Sequence, residues 1–144
     1  MSSATAESPE IRLVREVPEK ELASLYREVG WLQTGDDTSF IPTMLKGSLL
    51  AAGAFAEGHL IGFARILGDG VSDACIQDVM VAPVWRRRGI AAKMLRLLLT
   101  ELQKTGTGFI QLIAEPGAED LYRTLGFAPM AGCIPMKYTG GKKL

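Results

Sequence analysis

The sequence predicts a mixed α/β domain of the α+β kind, with a largely antiparallel first half. Three observations predict it. Segments rich in β-branched and apolar residues recur at 11–17, 49–56, 60–67, 74–82, 109–114 and 133–138. Four stretches with helical periodicity lie between them. Glycine or proline punctuates most junctions. The resulting order is strand, two helices, three strands, helix, strand, helix, strand.

The first strand, 11–17, alternates charges with β-formers, and Pro18 suits the first turn of the helix that follows. Leu22, Leu25, Tyr26 and Val29 share one face of that helix, and Gly30 stops it. Asp37, Thr38 and Ser39 are N-cap candidates for a short second helix reaching about Lys46. Two apolar runs joined by Glu57, Gly58 and His59 read as a hairpin. Gly68, Asp69 and Gly70 break the chain before a strand that Pro83 ends. From Gly89 to about Lys104, Ile90, Met94, Leu97, Leu98 and Leu102 form a helical stripe. A short buried strand follows at 109–114, and Pro116 opens a helix carrying Leu121, Tyr122 and Leu125, stopped by Gly126. The last strand, 133–138, precedes a flexible tail at 140–144. Residues 1–10 read as a disordered lead-in, leaving a single domain at 11–139.

A chain of 144 residues with 47% hydrophobic and 22% charged residues buries a core without disulfides. Sixteen basic and sixteen acidic residues cancel, so no overall field gathers nucleic acid or an anionic membrane. Any basic site is local. Cys75 and Cys133 lack neighbours at metal-ligand spacing and read as reduced thiols of an intracellular protein, with no metal expected. No apolar run reaches the length of a membrane span, and the polar, acidic start lacks the pattern of a signal peptide. The expected compartment is the cytoplasm.

The most informative local feature is the turn Arg86, Arg87, Arg88, Gly89, Ile90 and Ala91 at the head of the long helix. A helix N-terminus carries unpaired N–H groups and partial positive charge. Gly89 and Ala91 let an anion approach that backbone, and Arg87 and Arg88 add charge-assisted donors at the rim. A diphosphate fits such a turn. Taken alone, three arginines in a row are more often a solvated surface turn.

The neighbours of the turn decide between these readings. Arg86-x-x-Gly89-x-Ala91, after a strand and Pro83 and before an amphipathic helix, resembles the acetyl-CoA signature of the GNAT acetyltransferase superfamily. Gly58 to Arg65 resembles the family's second hairpin, and Asp120 to Phe127 its C-terminal helix with the Gly-Phe that follows. The likeness covers roughly residues 11–138. It implies a GNAT-like mixed, mostly antiparallel sheet of six to seven strands flanked by about four helices.

The resemblance also implies a chemistry. Val79, Met80 and Val81 would meet the pantetheine arm through their backbone, Arg86 to Ala91 would hold the diphosphate, and Tyr122 would contact the cofactor as general acid. An amine would attack the thioester directly, without an acyl-enzyme. Where many relatives carry a strand glutamate, this chain has Ile110, Gln111 and Leu112. Asp78 is then the alternative base, because an acid inside an apolar strand needs a partner or a function. A structural aspartate bonded to backbone or to Arg65 is an equal reading. Glu115 is a second candidate. His59 reads as a surface turn residue, and the cysteines as small hydrophobes.

Around the first helix and in the segments 76–81 and 126–138, the chain is similar to a branch that includes plastid-type serotonin N-acetyltransferases. This similarity implies a small primary amine, such as an arylalkylamine, with Trp31 and Phe40 as pocket aromatics. Trp31 reads equally as a plug between helix and sheet. A non-catalytic acyl-CoA-binding module is the alternative function. Homodimers are common in the family, but nothing in this sequence requires one.

Overall fold

The computed structural model describes residues 8–141, and the chain divides into two compact units, Met1–Leu112 and Ile113–Leu144. Residues 1–7 of the expected lead-in and 142–144 of the expected tail lie outside the described residues.

In the first unit, strands β1 (Glu10–Leu13), β2 (Leu50–Ala56), β3 (His59–Gly68), β4 (Asp73–Val81) and β5 (Phe109–Gln111) form one sheet in the order β1-β2-β3-β4-β5. The first four pair antiparallel, and β4 pairs β5 in parallel. Helices α1 (Glu19–Glu28) and α2 (Phe40–Gly47) connect β1 to β2, and α3 (Ile90–Thr105) connects β4 to β5.

Local chemistry sets these boundaries. Pro18, at the N-cap, accepts the Glu21 and Leu22 N–H groups through its carbonyl, so α1 starts one residue after the proline. The β2–β3 hairpin turns on Glu57 and Gly58, both at positive φ, which matches the right-handed twist of the strands. The β3–β4 loop is tied by the Asp69 carboxylate, which accepts the N–H groups of Val71, Ser72 and Asp73 and the Ser72 hydroxyl. These bonds hold the Asp69 carboxyl well below the usual range, the Ser72 hydroxyl having the largest effect.

Adjacent residues of β3 show how the sheet is covered. Phe63 is fully buried in a cluster with Leu22, Leu25 and Tyr26 of α1 and Ile41 and Leu45 of α2. Its neighbour Gly62 points the other way, where an added Cβ would sit 3.2 Å from the Met94 methyl of α3. Alternation along a strand therefore assigns α1 and α2 to one face and α3 to the other. Met94, Leu95, Leu98 and Leu102 are fully buried on α3, and truncating any of them to alanine costs about 2–5 kcal/mol.

Among its described residues the second unit holds one helix, α4 (Glu119–Thr124). It starts later than expected from Pro116 because Gly117 takes a positive φ and Ala118 closes a turn onto the Glu115 carbonyl. Its end follows the glycine rule, with Gly126 at positive φ and the Phe127 N–H bonded to the Tyr122 carbonyl.

Three strand expectations are corrected. The sheet has five strands, not six to seven. The segment 133–138 is not a strand: the described residues of its unit contain no strand for it to pair with, and Pro135 removes a ladder donor. The buried strand expected at 109–114 is only Phe109–Gln111, half-exposed, because it is an edge strand with β4 alone as neighbour.

Candidate active site

Strand β4 carries the geometry that matters most. It pairs with β3 along nearly its whole length, but with β5 only at Asp73, Ala74 and Cys75. From Ile76 to Val81 its other edge has no strand partner among the described residues. Backbone N–H and C=O groups there stand ready for an extended ligand, since such groups need partners when covered. Val79, Met80 and Val81 all lie in this stretch.

The same strand contains a bulge. Pairing steps from Arg65↔Gln77 to Phe63↔Met80, so Asp78 and Val79 together oppose Ala64. Asp78 takes φ +55°, a conformation aspartate tolerates better than most residues. Its carboxylate is bonded twice on one oxygen. Oδ2 accepts the Tyr26 hydroxyl at 2.7 Å and Arg65 Nε at 2.6 Å. The Arg65 and Asp78 side chains are only 15% and 16% exposed, and Arg65 Nη1 also donates to Ser48 Oγ at 3.4 Å. Arg65 is thus the partner of Asp78. Burial, and after it the bond to Asp78, pushes the Tyr26 phenol far above its ordinary value, so Tyr26 remains a donor.

Trp31 and Phe40 flank Tyr26. Their ring centroids lie 6.1 and 6.3 Å from the Tyr26 ring in tilted contacts. Trp31 is 43% exposed and Phe40 41%, so both present open aromatic surface rather than plugging the core. The structure brings Trp31, Phe40 and Asp78 together through Tyr26. In the sequence Tyr26 is only a member of an apolar helix face. A usable signal exists all the same: a tyrosine on a buried face needs a hydroxyl partner, and an acid in an apolar strand needs a donor.

Beyond β4, a 3-10 turn at Pro83–Trp85 leads into the arginine run. Arg86 Nε donates to the Val81 carbonyl at 2.9 Å, bracing the turn against the strand end. Arg88 Nη2 donates to the Val84 carbonyl, with its guanidinium 4.7 Å from the centre of the Trp85 ring. Arg87 sits at φ +62° and makes no side-chain hydrogen bond or ion pair with a described residue. Gly89, at φ +76°, is the N-cap of α3, and no side chain caps the helix. The first intrahelical bond is Lys93 N–H to the Gly89 carbonyl, which leaves the N–H groups of Ile90 and Ala91 free of intrahelical partners. An uncapped helix start beside an unengaged guanidinium suits a phosphate.

Tyr122 belongs to the second unit. It is buried there, stacked edge-on to Phe127 with centroids 6.0 Å apart. Burial, and then the Glu115 carboxylate, raises its phenol above the ordinary value. His59 is exposed at the first position of β3, just past the hairpin turn, 3.4 Å from Glu21. Among the described residues no helix is long and apolar enough to cross a membrane, and no cluster of side chains could hold a metal ion.

Residues 17–127 match the model of the acetyltransferase (GNAT) family. A ycf52-like uncharacterized N-acetyltransferase of Prochlorococcus marinus is 32% identical over 74% of this chain and 61% of its own length. The chloroplastic serotonin N-acetyltransferase 2 of Oryza sativa subsp. japonica is 39% identical over 51% of this chain and 36% of its own. The chain thus spans less than two thirds of these relatives. Among solved structures, a GNAT family acetyltransferase of Streptococcus pneumoniae superposes with a TM-score of 0.77 at 25% identity, covering 93% of this chain and 99% of the other. An aminoglycoside N-acetyltransferase solved in complex with CoA superposes at 0.69 and 18% identity, covering 91% and 95%. With its family model matched over most of its length, the chain belongs to the GNAT acetyltransferase family.

Proposed function

We propose that this protein moves an acetyl group from acetyl-CoA to a small primary amine, with an arylalkylamine as the preferred acceptor. One observation carries the cofactor part: the unpaired β4 edge at 76–81 leads, through the 3-10 turn and the arginine run, to the uncapped start of α3. The edge offers main-chain groups to a pantetheine arm through Val79, Met80 and Val81. The turn offers Arg87, the Gly89 conformation and the free N–H groups of Ile90 and Ala91 to a diphosphate, with Arg86 and Arg88 holding its shape. The residues present therefore fit the group, and acetyl-CoA bound here supplies an activated thioester.

The chain's own groups then handle protons. A main-chain N–H of the open edge polarises the carbonyl under attack. Asp78 takes the proton that the attacking amine sheds, and Tyr122 gives one to the departing sulfur. The C–N bond forms as the C–S bond breaks, one proton passing from nitrogen to Asp78 and one from Tyr122 to sulfur, and proton exchange with solvent then restores both side chains. Trp31 and Phe40 wall the acceptor side, and the rice relative's name supports an aromatic amine. The free thiols Cys75 and Cys133 fit a reducing compartment such as the cytoplasm. A homodimer is compatible with this function but is not required by it.

The test has two steps. Acetyl-CoA raises the melting temperature by mass action, and no shift at saturation removes the proposal. A panel of primary amines with thiol detection then reads turnover. Cofactor binding without turnover on any amine would identify a non-catalytic acyl-CoA-binding module instead.

A further inference from the structure

We infer that Tyr26 is a positioning residue that aims Asp78, so that the free Oδ1 of Asp78 receives the ammonium of the acceptor. The inference rests on the acceptor reading above and assigns the part of the site that selects a cation. Both protein donors, Tyr26 and Arg65, engage the same oxygen, Oδ2. No described residue donates to Oδ1, and among the described residues no fully buried side-chain oxygen lacks a partner, so Oδ1 keeps some contact with solvent. Two donors on one oxygen, arriving from α1 and β3, fix the plane of the carboxylate. They leave Oδ1 without a donor among the described residues.

Arg65 does not cancel this receptor. A cation bonded to Oδ1 stands nearer to the carboxylate than to a guanidinium bonded on Oδ2, and Coulomb energy falls with distance. The Tyr26 ring is held by Trp31 and Phe40, and its hydroxyl lies 3.1 Å from Met44 Sδ as well as on Asp78. One residue therefore links the exposed aromatic surface to the carboxylate. A ligand carrying an aromatic ring next to an ammonium matches both, and the aromatic faces add attraction for the cation.

Titration calorimetry of the full chain, with and without CoA, reads this directly. The ligands are 2-phenylethylamine, a cation at neutral pH, and 2-phenylethanol, its neutral counterpart. Wild type is expected to bind the amine at least about tenfold more tightly than the alcohol, the size of a hydrogen bond to a charged group. Asp78→Asn abolishes that preference. Tyr26→Phe keeps the ring, leaves the alcohol unchanged and cuts the preference several-fold. Tyr26→Leu, a second variant with the ring removed, weakens both ligands. Melting curves verify that each variant is folded. Equal binding of amine and alcohol in wild type, binding of neither, or an intact preference in Tyr26→Phe overturns the inference. Because no turnover enters the readout, such a result with a normal CoA-dependent melting shift sinks the Tyr26 assignment and leaves acetyl-CoA use standing. A missing CoA shift does the reverse.

Discussion

The Tyr26 hydroxyl and the Asp78 carboxylate, 52 residues apart in the chain, share a hydrogen bond of 2.7 Å. This contact latches α1 onto the bulge of β4, and Arg65 completes it from β3. Removing one member of such a trio leaves the others stranded. Arg65→Ala is therefore expected to cost about 3 kcal/mol, because it leaves a largely buried carboxylate without its cation. Urea unfolding measures it. A loss below about 1 kcal/mol would mean that solvent screens the pair as it does a surface salt bridge.

Arg87 separates stability from binding. It is a non-glycine residue at positive φ without a side-chain partner among the described residues, so Arg87→Gly relieves backbone strain of about 1 kcal/mol. The same change removes a cation from the proposed diphosphate site and weakens acetyl-CoA binding about tenfold. Thermal melts without cofactor and calorimetry with it should move in opposite directions. Parallel changes would count against Arg87 as a phosphate ligand.

Tyr122 is expected to matter equally across neutral pH. Its phenol titrates above the ordinary value near 10, so it remains a protonated acid throughout the working range. Tyr122→Phe then lowers kcat about a hundredfold at pH 7 and at pH 9 alike. Unchanged kcat at both would remove the general-acid assignment.

Alkaline stability follows from the same shifts. Tyr26 and Tyr122 both have folded-state values raised above the unfolded one near 10. Below that pH neither state loses the proton, and their contribution to stability is intact. Above it the unfolded chain ionises first, holds fewer protons than the native state and gains stability relative to it. Urea midpoints should fall as pH rises beyond about 10, and Tyr26→Phe should flatten the fall. A slope equal to wild type's would show that Tyr26 ionises as freely folded as unfolded.

Much of the fold is legible in the sequence because its punctuation is local. Gly30, Gly58, Pro83, Gly89 and Gly126 each end or turn an element through their own backbone preferences. The open edge of β4 is not legible, because it depends on where β5 stops, and nothing within Ile110 and Gln111 marks that end. The bulge is equally hidden, since Asp78 and Val79 oppose Ala64 only once the register with β3 is set. For the site, Asp78, Trp31 and Phe40 stand out by residue type. Tyr26, which joins them, is masked by its place on an ordinary amphipathic face. The segment 133–138 fails as a strand for a related reason. A β pattern states a propensity, whereas a strand needs a neighbour.

The bond from Arg86 Nε to the Val81 carbonyl makes the end of β4 and the phosphate-type turn into one stiff caliper. One jaw is the open strand edge and the other is the head of α3. Their separation is held by that bond together with the buried packing of Met94, Leu95, Leu98 and Leu102 of α3. A caliper of fixed gauge grades molecules by the spacing between their two gripped ends and ignores what hangs beyond them. With acetyl-CoA in the proposed place, such a device would accommodate change at the tip of the acyl chain more readily than change in the length of the arm that carries it.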